Sequence, residues 1–177
     1  MLPWPDLSPE EREGLIRNCW YSHDARWFSA VAQEFGLEAA NKLNKRACRA
    51  LGEAEMRRLI RALSIAHPTT VQELVDVMEL AFGVFAPPPL AELEIRAIDD
   101  HSYEGWMKRC FIHDNVTKAG IAPLYVCAAQ DRIQGWHDAL GLPLAADPPA
   151  QPCAKVQGRE CRPAFSRDAR PSAYEGI

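Results

Sequence analysis

The chain has 177 residues, 47% apolar and 25% charged, which allows one hydrophobic core of ordinary size and argues against a disordered or fibrous protein. Its formal charge of -4 gives a field that repels phosphate backbones and anionic lipid, so no nucleic acid partner is expected. No stretch reaches the roughly eighteen apolar residues of a membrane span, and the opening residues lack the basic and apolar regions of a secretory leader. A cytoplasmic protein with no membrane partner is the expectation, and its 6 cysteines are then thiols, not a disulfide framework.

Ser8 can cap a helix, Pro9 suits the first turn, and Glu11 completes a capping box. Ile16, Trp20, His23, Trp27 and Val31 then recur at helical spacing, predicting one helix to about Phe35, stopped by Gly36. A second helix is expected over residues 37 to 64, with Ala40, Asn44, Cys48, Met56 and Leu59 on its inner face and Gly52 as a bend or split. After the break at His67-Pro68, Thr69 and Gln72 form another capping box, and a third helix carries Leu74, Val77, Met78 and Ala81 to about Gly83.

The period then changes. Pro87-Pro88-Pro89 is an extended connector, and residues 91 to 98 alternate polar with apolar as a half-buried strand does. A turn at Asp99 to Ser102 returns Tyr103 to Phe111 as a second, antiparallel strand. A short helix over 113 to 118 ends at Gly120, and a longer one over 131 to 140 is closed by Gly141. Residues 143 to 152 read as a Pro/Ala/Asp loop, and 153 to 165 as a hairpin turning at Gln157-Gly158. The expected architecture is α+β: N-terminal helices packed on a small, mainly antiparallel sheet. It forms one domain over residues 1 to 165, with 166 to 177 a flexible tail.

Two constellations could carry chemistry. On the first helix, His23 lies between Trp20 and Trp27 on the apolar stripe with Asp24 beside it, so a titratable pair is expected near the core. A histidine held by a carboxylate is what general-base catalysis requires; the same pair could equally join two helices through Asn41 or Asn44. In the second half, Cys110 and His113 have the two-residue spacer of paired metal ligands, and Cys153 and Cys161 could face each other across the last hairpin. Zinc or iron is the metal such a set would take. The competing view is that these cysteines are small buried hydrophobes. Cys127, at a strand-to-helix junction where a helix dipole could lower its pKa, is the candidate nucleophile. Trp106, Trp136 and Tyr103 read as core, and the basic face of Lys42, Lys45, Arg46 and Arg49 as solvated surface.

The segment Trp20 to Phe28 has the form W-x-x-H-D-x-x-W-F and is followed by Phe35-Gly36 and an Ala-rich helix. It resembles the start of an uncharacterised family of small cytosolic proteins, and the likeness extends through Cys110, Lys118 to Ile121, Cys127, Cys153 and Cys161. The chain departs from that pattern near Cys153, where the family tends to carry a C-x-x-C. More distantly, it is similar to aminothiazoline-carboxylate hydrolase-like proteins and to vinyl-reductase or hydrocarbon-binding domains. The closest resemblance implies positions only: His23, Asp24 and the cysteines.

The function expected from residues and resemblance together is small-molecule binding, with a hydrolase-like activity in view. His23 would be base or ligand, Asp24 its orienting partner, and Cys127 or Cys110 the nucleophile or metal ligand. The alternative is a non-catalytic metal-binding or protein-interaction module built on Cys110, His113, Cys153 and Cys161. A homodimer through the helical half is the oligomer left open.

Overall fold

The computed structural model describes residues 6–142, 144–147 and 152–166. In chain order the elements are α1 (Pro9–Leu63), α2 (Val71–Phe85), β1 (Ala91–Asp99), β2 (Ser102–Cys110), α3 (Phe111–Lys118), α4 (Ala129–Ala139), β3 (Ala145–Asp147), a 3-10 turn (Ala154–Gln157) and β4 (Ala164–Ser166). The architecture is α+β, as expected, and the chain packs as two compact units, Met1–Lys42 and Leu43–Ile177. Among the described residues no helix is long and apolar enough to cross a membrane.

In the first unit, α1 opens on the expected capping box. The Glu11 amide donates to Ser8 Oγ at 3.1 Å and the Ser8 amide to the Glu11 carboxylate at 2.8 Å, satisfying two of the donors that a helix start leaves open. Gly36 has φ 85° and ψ 161°, a backbone conformation that only glycine enters at little cost, so it breaks the helical geometry where a stop was expected. The helix resumes at once, and α1 runs on into the second unit.

In the second unit the sequence expectation for Gly52 is corrected. It keeps helical geometry and does not split α1; it lets α4 come close. A Cβ on Gly52 would lie 2.0 Å from the Arg132 carbonyl oxygen, and one on Gly135 would lie 2.1 Å from the Arg49 carbonyl oxygen. Each helix is thus indented where the other's backbone passes. Beside this crossing the buried Glu55 accepts from the Arg132 guanidinium at 2.6 and 2.8 Å and from Trp136 Nε1 at 3.0 Å, so its charge is paired and hydrogen-bonded.

The second capping box lies one residue later than expected, at Thr70 with Glu73 rather than Thr69 with Gln72. The Glu73 carboxylate also accepts from the Thr69 amide and hydroxyl at 2.7 and 2.8 Å, a cluster of donors that holds its carboxyl below the usual range. A charged acceptor at a helix N-terminus gains more from such donors than a glutamine amide would.

Among the described residues the sheet has four strands in the order β1-β2-β4-β3, each pair antiparallel. Register sets Gly105 opposite Ile95, Met107 opposite Leu93 and Tyr103 opposite both Ala97 and Phe165, which places these side chains on one face. That face and α2, α4 and the end of α1 share a core that includes Met56, Met78, Trp136, Leu144 and Phe165. The other face is polar. Arg96 pairs with Glu104 and Lys108 with Glu94, while Arg162 lies 4.1 Å and Lys108 4.6 Å from the centre of the Trp106 ring. Trp136 and Tyr103 are core residues, whereas Trp106 is half-buried under those cations.

The expected hairpin over 153 to 165 is replaced by the 3-10 turn, which ends at Gly158 with φ 70°. β4 pairs with β2 and β3 instead. β3 lies inside what the composition presents as a loop; alanines and an aspartate give no period to read. Ser166 closes β4, and the rest of the tail expected over 166 to 177 lies outside the described residues, as do Pro143 and residues 148–151 of that loop.

Candidate functional site

The inner face of the sheet is not fully covered. A cavity of about 190 Å³ lies in the Leu43–Ile177 unit, floored by Leu93, Ile95, Tyr103, Gly105, Met107 and Phe165. Phe82 of α2, Ala129, Gln130 and Ile133 of α4, and residues 152–154 and 159–163 complete its walls. Gly105 helps to open it: a Cβ there would meet Leu93 Cδ1 at 3.3 Å, so any larger side chain would fill the space. The Gly105 amide donates to the Pro163 carbonyl and the Met107 amide to the Cys161 carbonyl, both at 3.0 Å, which carries the wall segment alongside β2.

Three of the sequence-predicted cysteines, Cys127, Cys153 and Cys161, line this cavity. Cys110 ends β2 and His113 lies in the first turn of α3, where Cys153 Sγ stands 3.7 Å from His113 Nδ1. The bridge between Val126 and Pro152 holds the Cys127 and Cys153 segments side by side. The thiols sense one another. Burial pushes Cys127 up to about 12 and Cys161 up to about 11, with each neighbouring thiol adding to the rise. Cys110 is also raised, mainly by burial, although the His113 and Ile112 amides pull the other way. The lowering expected for Cys127 from a helix N-terminus is therefore outweighed. The Ala129 amide does favour its thiolate, but desolvation is the larger effect. All six cysteines are thiols, none of them in a disulfide. Among the described residues, no three His, Cys, Asp or Glu side chains form a group able to hold a metal ion.

His23 and Asp24 sit in the Met1–Lys42 unit on α1, and both are exposed. Trp27 and Ile16, on the same stripe, are 65% and 66% exposed, so the expectation of a buried titratable pair is corrected. Helical spacing shows which residues share a face; it does not say what covers it. Asn44, offered as a partner for that pair, instead donates to the Tyr125 hydroxyl at 3.4 Å and accepts from Cys48 Sγ at 3.5 Å.

A buried pair at the cavity floor went unmarked in the sequence. The Tyr103 hydroxyl lies 2.7 Å from His137 Nε2, and the His137 ring packs edge-on against both Tyr103 and Phe165. Phe165 in turn stacks on Tyr103 with ring centres 5.2 Å apart. His137 is fully buried, and desolvation pulls its pKa down to about 3, Asp138 opposing weakly. The available signal was that His137 follows Trp136 and precedes Leu140 on the inner side of α4. One helical turn of apolar neighbours does not distinguish a buried histidine from an exposed one.

Residues 10–131 match the model of a family of unknown function, DUF6125, and the chain belongs to that family. No curated protein and no solved structure matches it.

Proposed function

We propose that this DUF6125 protein binds a compact, largely apolar small molecule in the cavity of its Leu43–Ile177 unit. The observation that carries this reading is the cavity itself: about 190 Å³ between a sheet face and two helices, with mostly apolar walls and Gly105 where a side chain would close it. Protein interiors hold few voids larger than a water molecule, so a space of this size is room for a guest. An apolar cavity of about 150 Å³ is known to accept benzene, which sets the scale here at a substituted single ring or a short branched chain.

Thiolate attack by Cys127 is not part of this reading, because a thiol raised to about 12 is almost wholly protonated at neutral pH and thus a poor nucleophile. The test is equilibrium binding of α-methylstyrene to the native chain and to Gly105→Leu. Saturable binding is expected only for the native chain; equal binding by both would move the site elsewhere.

One observation favours a second reading, a thiophilic metal such as zinc held by the cysteines with His113. Soft ligands from separate segments converge, with Cys153 Sγ and His113 Nδ1 already 3.7 Å apart. Two ligands of one tetrahedral zinc stand about 3.5 Å apart, so this pair is spaced to share an ion, and thiols protonated in the free protein would lose their protons to solvent as it binds. Elemental analysis of protein purified without oxygen decides it. A stoichiometric metal that is lost in Cys153→Ser supports the metal reading, and metal-free protein removes it.

A further inference from the structure

The ligand proposed above leaves open what would orient it, and the buried histidine behind the cavity floor bears on that. His137 is fully buried and has one hydrogen-bond contact, Nε2 to the Tyr103 hydroxyl at 2.7 Å, while its Nδ1 has no partner among the described residues. Two arrangements satisfy the 2.7 Å contact. In one, the phenol donates to Nε2, and the ring proton must sit on Nδ1, where it would be an orphaned N–H in the core. In the other, Nε2–H donates to the phenol oxygen, and Nδ1 is a bare lone pair. Each arrangement leaves one buried donor unmet, the Nδ1–H in the first and the phenol O–H in the second, and only Tyr103 lines the cavity, so an acceptor bound there favours the second. The phenol proton then has to point away from His137. Tyr103 lines the cavity, and among the described residues its hydroxyl has no other acceptor.

We infer that Tyr103 is the specificity-determining hydrogen-bond donor of the cavity, set by His137 as a positioning residue, and that the ligand carries a neutral oxygen acceptor such as a ketone or aldehyde carbonyl on its apolar body. This rests on the binding reading above. A neutral acceptor fits better than a carboxylate at this depth. Tyr103 is 2% exposed and His137 fully buried, so neither brings water or a positive charge to a buried anion, and the two arginines of the cavity wall are engaged elsewhere, Arg159 with Gln157 and Arg162 with Glu160 and the Trp106 ring. The stacked Phe165 and the edge-on His137 hold the Tyr103 ring, so its hydroxyl meets a ligand in one place without a search over rotamers.

Two probes of the same shape test it: acetophenone, which has the carbonyl, and α-methylstyrene, in which a methylene replaces that oxygen. The native chain is expected to prefer acetophenone, and Tyr103→Phe to reduce the ratio of the two affinities by about three- to tenfold. A ratio unchanged by Tyr103→Phe overturns the inference while leaving the binding reading in place. Failure of both probes to bind the native chain overturns both. Should the variant not fold, nitrogen-15 shifts of His137 in the native chain with acetophenone bound still decide the tautomer. Protonation on Nε2 is expected, and protonation on Nδ1 overturns the inference.

Discussion

Acid should unfold the Leu43–Ile177 unit earlier than its carboxylates alone require, and His137 is the reason. Its pKa is about 3 in the folded chain against 6.5 for the free side chain, because burial disfavours the imidazolium. The unfolded chain therefore binds a proton below 6.5 that the folded chain refuses, and stability falls as pH drops from 6.5 towards 3. At about 1.4 kcal/mol per pH unit, the loss from this one group reaches roughly 3 kcal/mol by about pH 4, a large part of the roughly 5–15 kcal/mol that holds a domain folded. Urea unfolding followed by circular dichroism at a series of pH values, for the native chain and His137→Gln, isolates the effect. The variant loses a contact to Tyr103 at every pH, a constant offset; it lacks the slope. The two stability curves should converge by about 3 kcal/mol between about pH 7 and 4. Parallel curves would refute the reasoning and mean that protonated His137 finds a partner or reaches water.

Two further outcomes follow from the crossing of α1 and α4. Glu55→Ala leaves the Arg132 guanidinium and Trp136 Nε1 without their acceptor in the core, and a loss of about 3–5 kcal/mol is expected in chemical denaturation. Gly52→Ala drives a methyl to 2.0 Å from a backbone oxygen that no rotamer change can move, so it should lower stability by at least about 1–3 kcal/mol in thermal unfolding.

Where the sequence was legible, the signal was local. Ser8 with Glu11, the stop at Gly36 and the alternation over residues 91 to 98 each record a rule acting within a few residues, and each reappears in the structure. Features that depend on partners distant in the chain were not legible. Nothing near Glu55 or Arg132 in the chain marks their pairing, which exists only once α4 is laid on α1. Gly52 reads as a flaw in a helix until the Arg132 carbonyl arrives. The last hairpin failed for the complementary reason: Cys153 to Phe165 has turn residues and strand formers in a plausible order, but β2 and β3 offered β4 better pairing than its own preceding segment. The cysteines fall between these cases. Their residue types drew attention, and the shared cavity wall came only with the fold.

The claim that the cavity exists to hold a small apolar guest is tested most directly by titrating α-methylstyrene into native protein and Gly105→Leu, with amide shifts read by NMR. One saturable site is predicted in the native chain, with shifts concentrated at Ile95, Tyr103, Met107, Ile133 and Phe165, and no saturable binding in the variant. Saturation absent from the native chain, or shifts unchanged by Gly105→Leu, would contradict it.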